Sequence, residues 1–137
     1  MSSEDNKATV RRFFELFNQG QIEAMGEVYA ADAIDHNPGP GQALGLEGIQ
    51  QILGVFRSGL PDITITIDQL IADGDFVVSR QTARDTQSGA FLGLPATGKP
   101  VTLAAQDLYR FHDGKVVEVR HVEDLLGLMQ QLGAIAA

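Results

Sequence analysis

The sequence predicts an α+β domain, and three observations predict it. Apolar residues recur at helical spacing up to about residue 60, alternate with polar ones from Ile63 onward, and the alternating runs are joined by tight Asp-Gly turns. Helices first and strands afterwards is the order of an antiparallel sheet with helices gathered on one side.

The elements follow in order. Val10, Phe13, Phe14 and Phe17 stand at i, i+3, i+4 and i+7, and Asn18-Gln19-Gly20 supplies the stop. A second short helix carries Ile22, Met25, Val28 and Tyr29 on one side, which makes a helical hairpin with one apolar face. Ala33 to Asn37 reads as a short strand, after which Pro38, Gly39, Pro40 and Gly41 force a loop. The next helix spans Leu46 to Ser58, buries Ile49, Ile52, Leu53 and Phe56, and ends at Gly59 and Pro61. Ile63, Ile65 and Ile67 then alternate with Thr64, Thr66 and Asp68, the pattern of a sheet covered on one face. Asp73-Gly74 turns this strand into Phe76 to Asp85. Thr86 to Pro100 is rich in Gly, Thr and Pro yet carries Phe91, Leu92 and Leu94, which suits either a flap at a pocket mouth or partner, or satellite packing on the core. Val101 to Phe111 and Lys115 to Asp124 are the last strands, Asp124 caps a helix with Leu125, Leu128, Met129 and Leu132 in one stripe, and the tail from Ala134 frays. If the sheet curls around its helices, its concave side becomes a cavity.

Bulk properties narrow the function. The 137 residues suffice for one core, and 44% hydrophobic with 20% charged residues is the balance of a globular chain, so a single domain spanning 1–137 is expected. A formal charge of -8, with only ten scattered Lys and Arg, argues against nucleic acid and anionic membranes as partners. The chain has no cysteine, which excludes disulfides, thiolate nucleophiles and zinc-thiolate sites and accords with a reducing compartment. With no signal-like N-terminus and no long apolar run, the expected location is the cytoplasm.

Asp107 and His121 are the leading candidates for chemistry, because each interrupts the apolar face of its strand. A two-residue turn at Asp113-Gly114 would place His121 beside Gln106, on the face opposite Asp107. A three-residue loop, His112-Asp113-Gly114, pairs Phe111 with Lys115 instead, so that Val117 faces Tyr109, Val119 faces Asp107 and His121 faces Ala105. The expected register is therefore the second, with Asp107 and His121 diagonal neighbours roughly 7–8 Å apart at the backbone. Glu118 and Arg120 then point outward. In the structural reading the pair satisfies itself or rests at the wet end of the sheet. In the functional one the carboxylate fixes the imidazole tautomer, and the other ring nitrogen accepts a proton from a bound carbon acid.

Other candidates have smaller parts. Asp32, Asp35, His36 and Asn37 have metal-like spacing, but adjacent strand residues face opposite ways, so no metal is expected there. His36 or Asn37 can still approach the cavity from the strand end. Tyr29, Phe56, Ala105, Tyr109 and Val119 complete the expected substrate-binding lining. Gly45 and Gly48 lack the loop and lysine of a nucleotide fingerprint, and there is no nucleophilic serine elbow.

The stretches RRFFELFNQGQIEAMGEVYAADAIDHNPGPG, GAFLGLPATGKPV and LYRFHDGKVVEVRHVEDLLGLMQQLG resemble the SnoaL-like polyketide cyclases of the NTF2-like superfamily, over about Asn6 to Gly133. The resemblance implies a cone-shaped α+β fold with a curved mixed or antiparallel sheet wrapped around N-terminal helices, pairing as a homodimer through the convex sheet face. It also implies an apolar or aromatic small-molecule ligand and chemistry with neither metal nor organic cofactor. In such cyclases an aspartate on the last strand is the general base of an aldol ring closure, helped by a histidine on the preceding strand. Here Glu118-Val119-Arg120-His121-Val122 stands where the family reads like EHWDV, so His121 matches the aspartate and Asp107 the histidine. The pair is kept with its residue types exchanged, which makes His121 the expected base and Asp107 its orienter. Two alternatives accompany this expectation: water activation like that of epoxide hydrolases, which use Asp-Arg-Asp, and a dimeric protein that binds an apolar ligand without turnover.

Overall fold

The computed structural model describes residues 2–86 and 93–136. Helix α1, Ser3–Asn18, begins at a capping box in which the Ser2 hydroxyl accepts from the Asp5 N–H and the Asp5 carboxylate accepts from the Ser2 N–H. Its buried face is the predicted stripe with Asn6 and Leu16 added. The second helix is a single 3-10 stretch, Ile22–Glu27, and Tyr29 opens strand β1, Tyr29–Asp35, rather than ending a helix. The β-branched Val28 and aromatic Tyr29 suit a strand, and pairing of Tyr29 with Val116 outweighs their place in the helical spacing.

Helix α2 spans Gly45–Gly59, and two glycines let its first turn sit against the chain before it. A Cβ at Gly45 would lie 2.7 Å from the Ala31 carbonyl oxygen, and one at Gly48 only 1.7 Å from that of Ala43. Close backbone approach is thus the reason for this pair of glycines. Strands β2, Thr64–Asp73, β3, Phe76–Thr86, β4, Pro100–His112, and β5, Lys115–Glu123, follow, and helix α3, Leu125–Gln131, ends the order. Asp124 caps α3 by accepting from the Gly127 N–H. Phe91 and Leu92 lie outside the described residues, whereas Leu94 packs half-buried on the core.

The sheet order is β1-β5-β4-β3-β2, antiparallel throughout except for β1, which runs parallel to β5. This order leaves the sheet unclosed, with β1 and β2 at its edges. Along β3 the alternation is clean: Val77, Ser79, Gln81, Ala83 and Asp85 are buried and their neighbours face outward. The core lies between that inner face and the helices, with Phe13, Phe17, Tyr109, Val116 and Leu128 nearly or fully buried.

The β4–β5 hairpin differs from the expected register. Asp113 and Gly114 both have positive φ, 50° and 79°, which is a two-residue type I′ turn, and His112 pairs with Lys115. The face is then rescued by a bulge: Phe111 pairs with Val116 but Arg110 pairs with Glu118, leaving Val117 as the extra residue. Beyond it Tyr109 pairs with Val119 and Asp107 pairs directly with His121. The observed register lies two residues from the expected one, and a shift of two preserves which face each side chain occupies. Asp107 and His121 therefore share the inner face, as direct partners rather than diagonal ones.

Candidate active site

The concave side holds a cavity of about 110 Å³ lined by Phe13, Phe14 and Phe17 of α1, by Ile49, Ile52, Leu53 and Phe56 of α2, and by inner-face residues of all five strands or their flanks. Among them are Tyr29, Asp35, Gln81, Ala105, Asp107, Val119, His121 and Glu123. Of the expected lining, Tyr29, Phe56, Ala105 and Val119 are in place. The helices supply apolar walls and the strands supply every ionisable group.

Asp107 sits beneath these walls. Gln81 Nε2 and the Tyr109 hydroxyl each donate to its Oδ2 at 2.8 Å, and the Ser79 hydroxyl donates to Gln81 Oε1 at 2.8 Å, which fixes the amide's orientation. Among the described residues nothing donates to Oδ1. Burial pushes the Asp107 carboxyl up to about 6, against the opposing effects of its two hydrogen bonds and the nearby His121 charge. Tyr109, expected to line the cavity, lies completely buried underneath as the support of Asp107.

His121 is held differently from the expectation. Its Nε2 donates to Asp35 Oδ1 at 2.9 Å and its Nδ1 to Glu123 Oε1 at 2.6 Å, so the imidazole lies between two carboxylates and Asp107 is not its orienter. Burial lowers its affinity for a proton, but the hydrogen bonds and charges of Asp35 and Glu123 outweigh this and raise its pKa to about 10. At neutral pH His121 is an imidazolium with both N–H groups engaged. It has no lone pair with which to act as the expected base.

Asp35 is the principal residue missed in the sequence. Its burial is outweighed by hydrogen bonds from His121, from the Gln42 amide at 3.0 Å and from the Asn37 N–H at 2.9 Å, which hold its pKa below the ordinary carboxylate value. The parallel β1–β5 pairing brings it to His121 across 86 positions. Glu123 was legible, since it stands two residues after His121 on the same face.

His36 does not approach the cavity. It projects to the other side of β1 and bonds Glu118 Oε1 at 2.9 Å, and Arg110 bonds the same carboxylate on the outer sheet face. Asn37 also lies outside the lining, but its Oδ1 accepts from the His121 backbone N–H at 2.9 Å, tying the β1 end to β5. Arg120 is exposed and pairs with Leu108 on the outer face, so an inner Asp-Arg-Asp arrangement lacks its arginine. Among the described residues no group of three or more His, Cys, Asp or Glu is arranged to hold a metal.

An apolar chamber with strand-borne acids, enclosed by a curved sheet and N-terminal helices, defines a small-molecule protein of the NTF2-like class. The chain belongs to the SnoaL-like polyketide cyclase family, whose sequence profile matches residues 7–132. Similar solved structures include TsrD from Streptomyces laurentii, with 27% identity, a TM-score of 0.91 and coverage of 98% of this chain and 99% of that one. IdmH from Streptomyces antibioticus, assigned as a polyketide cyclase, shares 32% identity at a TM-score of 0.83 over 93% of this chain and 98% of its own. A protein from Jannaschia assigned as a SnoaL-like polyketide cyclase shares 28% identity at 0.84, over 97% and 94%. No curated protein matches the sequence. Family and neighbours support a small-molecule, cyclase-like role. No helix among the described residues is long and apolar enough to cross a membrane.

Proposed function

We propose that this protein is an enzyme that takes a proton from a carbon acid, an apolar or aromatic carbonyl compound, as the first step of an aldol-type cyclisation or an isomerisation, with Asp107 as the base. One observation carries the reading: Asp107 is a carboxylate with a pKa raised to about 6, its Oδ2 fixed by two donors and its Oδ1 left to an apolar cavity. A base of that strength is largely ionised at neutral pH yet stronger than a solvated carboxylate. The base is again an aspartate, as the resemblance implies for the family, but on the preceding strand, and the imidazolium of His121 takes the partner position.

His121 acts through its charge. A cation on the floor favours the ionised base at rest and offsets the negative charge that develops when an enolate forms, while the walls exclude water. The cavity's 110 Å³ lies below the 300–1,000 Å³ usual for drug-sized ligands, so a small ligand, or the reacting end of a larger one, occupies it.

The test is solvent deuterium exchange into 2-indanone, a small aromatic ketone with acidic C–H bonds, followed by proton NMR. The wild type is expected to accelerate exchange, with the rate rising through about pH 6 as Asp107 ionises, and Asp107→Asn to abolish it. Binding of 2-indanone with no acceleration would instead identify an apolar-ligand-binding protein. Equal exchange in both proteins would remove Asp107 as the base.

We also propose that the outer sheet face pairs two copies of the chain. Ile71 and Val122 are 54% and 65% exposed there, beside a depression of about 440 Å³ containing Arg80, Thr82 and Gln106. Sedimentation should give a dimer that Val122→Glu dissociates, and a wild-type monomer would refute the pairing.

A further inference from the structure

Tyr29 is a polar group of the cavity floor with no part in the chemistry above. The residue is 3% exposed and its ring stands edge-on to Phe13, at 5.6 Å between centroids and 88° between planes, so its direction is set by packing. The other polar side chains of the lining are committed to protein partners: Asp35 and Glu123 to His121, Gln81 to Asp107 and Ser79, and Asp107 Oδ2 to Gln81 and Tyr109. Among the described residues the Tyr29 hydroxyl has no hydrogen-bond partner, although the residue lines the cavity. Leaving a buried hydroxyl unpaired costs stability unless water or a ligand satisfies it.

The surroundings decide what kind of partner fits. Burial, and then the negative charges of Asp107 and Asp35, push the phenol well above its ordinary value of 10, so the hydroxyl keeps its proton and is available as a donor. While both are ionised, those same two carboxylates repel a ligand atom that is already anionic when it binds; once Asp107 has taken a proton, the charge left is that of Asp35, which is paired with His121. His121 offers no counter-charge with a free N–H, and among the described residues no Lys or Arg lines the cavity. The acceptor that fits is an uncharged carbonyl oxygen.

We propose that the Tyr29 hydroxyl donates a hydrogen bond to the carbonyl oxygen of an uncharged ketone or β-dicarbonyl ligand whose acidic C–H faces Asp107, making Tyr29 a catalytic residue. The inference rests on Asp107 as base. The proton moves from carbon to Asp107 Oδ1, the C–H electron pair becomes the C=C bond, and the carbonyl π pair moves onto the oxygen that Tyr29 holds. Return of a proton or deuteron from Asp107 to carbon regenerates the ketone. Donation is stronger to the enolate oxygen than to the ketone, so the contact lowers the barrier rather than merely binding the ligand.

The test uses Tyr29→Phe, which keeps the ring and its packing, with 2-indanone as probe and two readouts. In the wild type the infrared carbonyl band of the bound ketone is expected at lower frequency than in an apolar solvent. In Tyr29→Phe that shift should vanish, and the deuterium exchange rate should fall about 100-fold, the size expected for loss of one such donor. The same band position in both proteins, or no shifted band in the wild type, overturns the assignment. A shifted band lost in Tyr29→Phe, in a wild type that does not exchange deuterium, leaves Tyr29 as the ligand donor and refutes Asp107 as the base.

Discussion

Replacing Asp107 with Asn should make the protein more stable while abolishing proton abstraction, and the size of the effect follows from the carboxyl's pKa. With its carboxyl raised from an ordinary 3.8 to about 6, ionising Asp107 in the folded state costs about 3 kcal/mol. A raised carboxyl pKa means the native state binds more protons than the unfolded chain between those values. Wild-type stability therefore loses this contribution as pH rises from about 4 to 6, and the cost is fully present above about 7. Asn removes the charge but keeps an oxygen that can accept from Gln81 and Tyr109, as Asp107 Oδ2 does. The assay is urea unfolding of both proteins between pH 4 and 8. The variant's advantage should be small near pH 4 and grow to about 3 kcal/mol by pH 8. A difference independent of pH, or a variant less stable at pH 8, would show that Asp107 is not held in a desolvated site and would remove the basis for its role.

Two further predictions concern His121 and Gly48. His121→Gln should cost about 3 kcal/mol at pH 6, because it leaves Asp35 and Glu123 facing a neutral group. The His121 pKa is raised, so its stabilisation is complete below about 6.5 and lost as pH rises through about 10; unfolding curves should show the deficit of the variant shrinking by pH 10.5, and a constant deficit would refute the imidazolium assignment. Gly48→Ala should destabilise the protein by at least about 2 kcal/mol through overpacking against the Ala43 carbonyl, measured by urea unfolding, and a neutral result would mean that the first turn of α2 can move away from that carbonyl.

Much of the site was legible because strand alternation is local. The inward direction of Asp107, Val119 and His121 follows from a period of two that needs no knowledge of the partner strand. The hairpin illustrates the limit. Hydrophobic alternation requires Asp107 and His121 on one face, and they share it; the turn is not decided by that pattern, because the extra residue can sit either in a three-residue loop or in a bulge at Val117, and both restore the same face. Tyr29 shows another limit, since its spacing fits both the helical stripe and the first position of a strand, and only pairing with Val116 decides between them.

The chain's own pattern determined the α+β class, the inner face of each strand and the candidacy of the two ionisable residues on the last hairpin, because these depend on periodicity and turn chemistry among near neighbours. Tertiary structure alone decided which partners hold each of the two. The parallel placement of β1 against β5 sets Asp35 on one side of the imidazole and leaves Asp107 under the apolar walls. Protonation depends on the charges and solvent within a few ångströms, and those neighbours come from segments far apart in sequence.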